Sequence, residues 1–350
     1  MKKPSSLLTI CLALTTLSSP AFAGEQEGIV VPVSTNHGQN AISSVEKNGK
    51  RYLTYHLADY AKLVNESVWS ADMTANPAMT VKLQTLLDWN HASPGAIDGG
   101  WGATSKKALQ NFQQLQGLEP TGKMNEATWQ ALHKNIASDQ PILVSYTITD
   151  ADMKGNYAKL PSELSEQAKQ AGLYYENVEE MLGERFHMSV RYLKKINPDK
   201  KFVAGETITV INTGKPLDKK ITHLIAHRQD GVLYAYHEDK LIATYPSMIG
   251  KDDGKTGNNR FKITDKVKMP SYKATINKDG KTSTVILPSG PNNPVGVAWL
   301  GINKPNCGIH GSPMPDIIDK PAELGCIKLT NWDILEVYAN IEQGAIVEIR

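Results

Sequence analysis

Hydrophobic residues recur every three or four positions between Met79 and Leu132, which indicates helices that each bury one face. The predicted apolar faces are Val81, Leu83, Leu86 and Leu87 in a first helix, then Ala108, Phe112 and Leu115, then Trp129 and Leu132. Thr104 and Asn125 precede the second and third helices and are predicted to be their N-caps. This segment therefore predicts a compact three-helix unit.

The pattern is mixed on both sides of this unit. Before it, the apolar spacing from Tyr52 to Trp69 predicts a further helix. After it, Ile142–Ile148 and Thr207–Ile211 alternate as strands, and Val178–Ile196 has helical spacing that ends at Asn197-Pro198. These elements predict a small α/β segment.

From Ile221 onward the period changes to that of strands. The predicted strands are Ile221–Ala226, Val232–Tyr236, Lys240–Ile249, Thr282–Leu287, Val297–Gly301 and Ala345–Ile349. One helix is predicted late in the chain, where Thr330-Asn331-Trp332-Asp333 reads as a capping box. The C-terminal part should be mainly β.

The chain is thus predicted to be a multidomain α+β protein. The predicted divisions are a signal peptide (1–23), an N-terminal extension (24–72), the three-helix domain (73–136), the small α/β domain (137–215) and the mainly-β domain (217–350). The signal peptide is predicted from Lys2-Lys3, the apolar run Leu7–Leu17 and the small-x-small site Ala21-Phe22-Ala23. That run is too short to span a bilayer, so we expect an exported protein without a transmembrane segment.

Charge and cysteine content narrow the function. The formal net charge is +2, and Lys2-Lys3 account for it, which leaves no electrostatic case for nucleic acid as a partner. Beyond the predicted signal peptide only Cys307 and Cys326 remain. They are either one structural disulfide or a catalytic thiol with an unrelated neighbour.

The most informative motifs lie in the last fifth of the chain. Gly308-Ile309-His310-Gly311-Ser312 is followed by Gly325-Cys326-Ile327-Lys328-Leu329. A thiol needs a base to become the thiolate that attacks a carbonyl carbon, and imidazole is the usual base. Cys326 and His310 therefore predict acyl transfer by a Cys-His pair. The other histidines lack the spacing of metal ligands, so we expect no metal, and no cofactor is indicated.

The three-helix segment resembles the peptidoglycan-binding domain. The motifs that carry this resemblance are Leu83-Gln84-Thr85-Leu86, Ile97-Asp98-Gly99-Gly100-Trp101-Gly102, Asn111-Phe112-Gln113, Thr121-Gly122 and Thr128-Trp129. The helix, Asn-Pro, glycine turn and strand that end at Ile211 resemble the second half of a LysM module. The alternative for that segment is a spacer. These resemblances imply peptidoglycan, both its glycan and its stem peptides, as the partner.

Residues 217–350 resemble the YkuD-type catalytic domain of L,D-transpeptidases. The motifs are Gly290-Pro291-Asn292-Asn293-Pro294-Val295-Gly296, the two motifs around His310 and Cys326, and Asn331-Trp332-Asp333. The resemblance implies that Cys326 attacks a stem tetrapeptide, releases D-alanine and passes the acyl group to an amine, with His310 as base. It also implies a periplasmic, wall-associated enzyme of peptidoglycan synthesis and cell shape that carbapenems inactivate.

Other residues take supporting roles in this prediction. The amides of Gly325 and Cys326, with that of Leu324 as a further candidate, would stabilise the oxyanion. The carbonyl of Gly311 or the hydroxyl of Ser312 would hold the second imidazole nitrogen. Lys328, Leu324 and Asn293 are the predicted substrate-binding residues.

The sequence departs from the family pattern beside the nucleophile. Where the family usually has Ser-His-Gly-Cys-x-Arg, this chain has Glu323-Leu324-Gly325-Cys326-Ile327-Lys328. Lysine retains the positive charge of arginine but not the planar fork that binds a carboxylate through two bonds. The interpretation is an active enzyme with altered substrate preference.

Several alternatives stay open. The acceptor amine can belong to another stem, which gives a 3→3 crosslink, or to an outer-membrane lipoprotein. Attack by water would make the enzyme an L,D-carboxypeptidase, and decay of the site would leave a wall-binding protein. A Cys307–Cys326 disulfide that blocks the nucleophile is a further hypothesis.

Overall fold

The computed structural model describes residues 31–32, 42–47, 50–55, 57–73, 76–137, 140–250, 259–278, 281–305, 307–318 and 327–350. Its first elements are β1 (Val31–Pro32), β2 (Ile42–Lys47), β3 (Lys50–Tyr55) and α1 (Leu57–Glu66). The prediction of a helix from Tyr52 is wrong at its start. Residues up to Tyr55 pair antiparallel with β2 as a hairpin, and the helix begins only at Leu57.

The predicted three-helix unit is confirmed. Its helices are α2 (Pro77–Trp89), α3 (Ala103–Leu115) and α4 (Glu126–His133). Asn125 is the N-cap of α4, as predicted, because its side chain accepts a hydrogen bond from the amide of Thr128. The prediction for Thr104 is wrong, since Gly102 is the N-cap of α3 and the helix has already begun at Ala103.

The middle segment packs short helices against a small sheet. Its elements are β4 (Leu143–Thr147), α5 (Asp150–Met153), α6 (Leu164–Gln167), α7 (Val178–Arg185), α8 (Val190–Ile196) and β5 (Thr207–Ile211). The prediction of one helix over 178–196 is wrong. His187 takes a left-handed φ of 54°, and Ser189 Oγ accepts from the amide of Tyr192, so a second helix starts with its own cap.

The C-terminal domain is mainly β, as predicted. Its elements are β6 (Ile221–His227), β7 (Val232–His237), β8 (Lys240–Pro246), β9 (Met248–Ile249), β10 (Arg260–Lys268), β11 (Tyr272–Lys278), β12 (Lys281–Leu287), β13 (Ala298–Ile302), β14 (Gly308–His310), β15 (Ile327–Lys328), α9 (Asn331–Asn340) and β16 (Ile341–Ile349), with a 3₁₀ turn at Pro315–Ile317.

Among the described residues, nine of these strands form one sheet in the order β8-β7-β6-β16-β10-β13-β14-β15-β9. The pattern did not predict β10, β11, β14 or β15. The strand predicted over Lys240–Ile249 divides into β8 and β9 at Pro246-Ser247, and β9 pairs with β15 at the opposite edge of the sheet from β8. This division brings residues 248–249 beside the strand that follows Cys326 in the sequence.

The three-helix unit and the middle segment share one hydrophobic core. That core also includes Tyr60, Ala61 and Val64 of α1, all fully buried. Asn65 ties α1 to β4, because its side-chain oxygen accepts from the amides of Ile142 and Leu143. The predicted divisions at 72–73 and 136–137 therefore do not separate cores, whereas the large sheet and α9 enclose a core of their own.

A third, small cluster joins the middle segment to the hairpin of β11 and β12. Leu173 is buried there against Ala274 and Leu287, with Leu160 and Leu164 packed around them. In the part of the chain that the structure describes, no helix has both the length and the apolar character needed to cross a membrane.

Candidate active site

His310 is the last residue of β14, a central strand of the sheet, and only 2% of it is exposed. Its Nδ1 lies 2.7 Å from the carbonyl oxygen of Gly311. A carbonyl can only accept, so Nδ1 carries the proton, and Nε2 of the neutral ring is left as the basic atom. One of the two predicted contacts of this imidazole is thus present.

The indole ring of Trp299 lies against the imidazole. The two residues are directly opposite in the antiparallel pair of β13 and β14, and their rings stack with centroids 5.5 Å apart and planes 15° apart. Gly308 makes room for the indole, because a Cβ at this position would lie 2.4 Å from Trp299 Cζ2. The motifs in the sequence do not single out Trp299, although its position in a predicted strand is a usable signal.

The strand after Cys326 lies beside that of His310. β14 and β15 are parallel, with Ile309 opposite Ile327 and His310 opposite Lys328, and the amide of Leu329 donates to the carbonyl of His310 at 2.9 Å. Lys328 is partly buried on this strand. Parallel pairing of the segments that begin at Gly308 and at Ile327 was not predicted.

The predicted nucleophile, Cys326, lies outside the described residues. The same holds for Leu324 and Gly325, whose amides are predicted to stabilise the oxyanion, and for Glu323. Their roles stay predictions. Cys307 is 4% exposed and lies in the core of the sheet. The hypothesis of a disulfide between Cys307 and Cys326 is untested, because Cys326 is not among the described residues.

Ser312 and Asn293 have their polar atoms engaged within loops. Ser312 Oγ accepts from the amide of Met314 at 3.2 Å. Asn293 is fully buried: its Nδ2 donates to the carbonyl of Pro288, and its Oδ1 accepts from the amide of Val295. These hydrogen bonds hold the loop that contains Asn293, and its predicted contact with substrate stays a prediction.

That loop, residues 288–296, is docked on the middle segment. The amide of Leu173 donates to the carbonyl of Ser289, and the amide of Asn292 donates to the carbonyl of Leu173, both at 2.9 Å. Gly290 is needed at this contact, because its φ is +153° and a Cβ would lie 2.0 Å from the oxygen of Leu173. The loop therefore owes its position to a segment outside the C-terminal domain.

A buried polar connection joins the same two parts of the chain. Asn331, the first residue of α9, donates from Nδ2 to both carboxylate oxygens of Glu184, at 2.9 and 3.0 Å, and to the carbonyl of Pro291 at 3.1 Å. Tyr175 also donates to Glu184. Burial raises the pKa of Glu184 to about 7, although the hydrogen bonds from Asn331 and Tyr175 oppose this rise.

Helix α9 is also held by titratable groups of the N-terminal part. The ring of His187 stacks on that of Trp332 at 5.3 Å and contacts the carboxylate of Asp88 at 2.9 Å. Ser93 donates to Asp333, the predicted capping-box residue, whose amide donates to Thr330 Oγ1. Burial raises the pKa of Asp333 to about 7.

A separate groove of about 680 Å³ lies in the three-helix unit. Its walls include two tryptophans, three methionines and three lysines, namely Trp69, Trp101, Met73, Met79, Met124, Lys106, Lys107 and Lys123. Trp69 and Met73 precede α2, and Trp69 belongs to the predicted N-terminal extension, so the end of that extension lines part of this groove. Across the described ranges, no three His, Cys, Asp or Glu side chains are grouped as metal ligands would be.

Two family models match the chain. One, described as the L,D-transpeptidase catalytic domain YkuD, matches residues 221–349. The other, described as a putative peptidoglycan binding domain, matches residues 78–132. The LysM-like resemblance of the middle segment has no counterpart in these two matches.

Curated relatives carry the same description. The chain is 30% identical over 147 residues to the putative L,D-transpeptidase YkuD of Bacillus licheniformis, which covers 42% of this chain and 75% of that protein. It is 25% identical over 166 residues to the putative L,D-transpeptidase YkuD of Bacillus subtilis, which covers 47% of this chain and 88% of that protein. The catalytic domain from E. faecium L,D-transpeptidase, solved by NMR, is 21% identical with a TM-score of 0.28, over 38% of this chain and 100% of that one.

Proposed function

The chain belongs to the YkuD-type L,D-transpeptidase family, and from this premise we propose that it transfers the acyl group of a peptidoglycan stem tetrapeptide through a thioester on Cys326. The observation that carries the proposal is the environment of His310. Its Nδ1 is held by the Gly311 carbonyl, and the strand that follows Cys326 in the sequence lies parallel to its own.

The proposed first step is attack of the Cys326 thiolate on the carbonyl between the third stem residue and the terminal D-alanine. His310 Nε2 takes the thiol proton and then gives it to the leaving amine, so D-alanine departs as the C–N bond breaks and the C–S bond forms. In the second step an amine attacks the thioester carbon and gives a proton to His310 Nε2, so that the new C–N bond forms as the C–S bond breaks and the thiolate leaves. The predicted donors to the oxyanion are the amides of Gly325 and Cys326.

The acceptor in the second step determines which of three activities the enzyme has. A side-chain amine of another stem gives a 3→3 crosslink, a lipoprotein lysine gives an anchored protein, and water gives a carboxypeptidase. The buried, hydrogen-bonded imidazole favours an active site over a decayed one, since a histidine kept in one tautomer is suited to proton transfer.

The groove of the three-helix unit is the proposed contact with the wall. Trp69 and Trp101 offer indole faces to the apolar faces of sugar rings, while Lys106 and Lys123 can pair with the carboxylates of stem peptides. This part of the proposal is consistent with a periplasmic, wall-associated protein, which is the localisation we propose.

The decisive experiment is incubation of the reduced enzyme with purified disaccharide-tetrapeptide, with products identified by mass spectrometry. Cys326→Ala and His310→Gln variants are the controls. A dimer that has lost one D-alanine, absent from both controls, is the expected product, whereas a tripeptide without dimer would identify a carboxypeptidase. If no product depends on Cys326 and a carbapenem does not acylate it, the proposal of an enzyme is wrong.

A further inference from the structure

Glu184 is a buried carboxylate in the middle segment, outside the catalytic domain. It lies on α7 and is 8% exposed. A buried carboxylate without hydrogen-bond donors is costly. Asn331 is such a donor across the domain contact, because its Nδ2 donates to both carboxylate oxygens of Glu184.

Asn331 in turn fills the space between two glycines of the site. Its Oδ1 accepts from the amide of Val297 at 3.2 Å. A Cβ on Gly296 would lie 2.2 Å from this oxygen, and a Cβ on Gly311 would lie 2.4 Å from it. The Asn331 amide therefore sets how closely the backbone at Gly296 and at Gly311 can approach, and a shift of this amide must move both.

Gly311 is the residue whose carbonyl holds Nδ1 of His310. The path of contacts from the middle segment to the imidazole is thus short and continuous: Glu184 to Asn331, Asn331 to Gly311, and Gly311 to His310. The first and the last of these contacts are hydrogen bonds between buried groups, which are strong and poorly replaced by water, and the middle one is close packing of the Asn331 amide against the Gly311 backbone.

We propose that Glu184 is a positioning residue of the active site, which acts through Asn331 and Gly311 to keep the imidazole of His310 in the Nδ1-protonated tautomer. The middle segment then does more than space the wall-binding unit from the catalytic domain, because it completes the support of the base. This inference rests on the proposed function only in that His310 serves as the base there.

The test compares two uncharged residues of similar length at one position. Glu184→Gln keeps an oxygen that can accept from Asn331 Nδ2, whereas Glu184→Met fills the volume but offers no comparable acceptor. Glu179→Met is the matched control on the same helix, because Glu179 pairs with Lys194 and not with Asn331.

The first readout is the ring nitrogen spectrum of His310 in ¹⁵N-histidine-labelled full-length protein, assigned by the loss of its signal in His310→Gln. In Glu184→Met we expect the two nitrogens to report a mixture of tautomers. In Glu184→Gln and Glu179→Met we expect the wild-type pattern. Unchanged His310 signals in folded Glu184→Met would overturn the proposal.

The second readout is steady-state kinetics on disaccharide-tetrapeptide. Glu184→Met should lower kcat about tenfold and leave KM within about twofold, since a loss of base positioning affects the chemical step. Glu184→Gln should remain within about twofold of wild type in both. Equal losses in the Gln and Met variants would mean that the charge or the domain contact matters and would contradict a role for the acceptor.

Should Glu184→Met not fold, Asn331→Asp provides the same test from the other side. It keeps the volume and the acceptor for Val297 but sets a carboxylate against that of Glu184, so the His310 signals should change in the same way. The spectroscopic result does not depend on turnover. A wild-type chain without Cys326-dependent product would therefore refute the proposed function, whereas unchanged His310 signals in these variants would refute the positioning role.

Discussion

The rings of Trp299 and His310 stack in parallel, 5.5 Å apart, on neighbouring strands of the sheet. This contact covers one face of the imidazole and, together with the Gly311 carbonyl, fixes both its plane and its rotation. A base held in this way needs little reorganisation when it takes a proton.

Removal of the indole should therefore impair catalysis more than folding. For Trp299→Leu we expect kcat to fall about tenfold, because the imidazole gains rotational freedom, while Trp299→Phe should retain most of the rate. Steady-state kinetics with thermal unfolding as the control would check this. Equal rates in Trp299→Leu and wild type would show that the stacking is not needed.

Gly308→Ala should disturb the stacking of Trp299 on His310, because Gly308 packs against the indole ring. Its Cβ would lie 2.4 Å from Trp299 Cζ2 and 2.8 Å from the carbonyl oxygen of Leu300, so the indole or the strand must move. We expect the free energy of unfolding to fall by about 2 kcal/mol, as for other overpacked sites. Denaturant titration would measure the loss, and unaltered stability together with unaltered fluorescence of the tryptophans would contradict it.

The docking of the loop at Gly290 is open to a similar test. In Gly290→Ala the Cβ would lie 2.0 Å from the backbone oxygen of Leu173, which no side-chain rotation can relieve. We expect a loss of about 3 kcal/mol of unfolding free energy and faster amide exchange at residues 288–296.

Gly117→Ala is the control for Gly290→Ala, in which a positive φ and a close contact with Leu173 both cause strain. Gly117 also has a positive φ, +70°, but no atom lies within 4 Å of its added Cβ. We expect its substitution to cost about 1 kcal/mol, from the backbone alone. Equal losses at both positions would refute the contact with Leu173 as the cause.

The interface around α9 should make stability depend on pH. The pKa of Asp333 is raised to about 7 by burial, so the folded state retains a proton there that the unfolded chain releases near pH 4. The contribution of Asp333 to stability is therefore fully present below its unfolded pKa and is lost as the pH rises toward 7. The pKa of His187 is raised by Asp88 against its desolvation, so its contribution is present at low pH and is lost as the pH rises through the folded pKa.

We therefore expect the free energy of unfolding to decrease from about pH 4.5 to about pH 8, and Asp333→Asn to reduce this decrease by about 3 kcal/mol. Urea titrations at several pH values would measure it, with the exposed Glu119→Gln as control. A slope that is the same in wild type and Asp333→Asn would show that this carboxyl does not carry the effect.

The groove of the three-helix unit can be tested apart from catalysis. Trp101→Ala and Trp69→Ala should each weaken binding to purified sacculi about tenfold, because each removes an aromatic wall of the groove. Their rates on soluble disaccharide-tetrapeptide should not change. Wild-type retention on sacculi in the double variant would mean that the wall contact lies elsewhere.

The sequence by itself determined the elements whose signals are local. The apolar spacing predicted α2, α3 and α4, and Asn125 was recognised as a cap because its side chain acts only on the next turn. His310 and Cys326 are predicted from the sequence because reactive residue types beside glycines are visible there, and the role of Cys326 stays a prediction. Local signals failed where tertiary contacts decided the outcome, as at His187, whose left-handed backbone breaks the predicted helix and which contacts Asp88 and Trp332.

Only the tertiary structure decided what surrounds the imidazole of His310. Trp299 faces His310 because of strand register, and Glu184 reaches Asn331 across 147 positions of sequence because two cores pack against each other. The residue type of Asn293 indicated only a polar side chain, and the fold decides that this side chain is fully buried within its own loop. Such relationships depend on distances between segments that are remote in the chain. Periodicity and residue type describe one segment at a time, so they do not specify these distances.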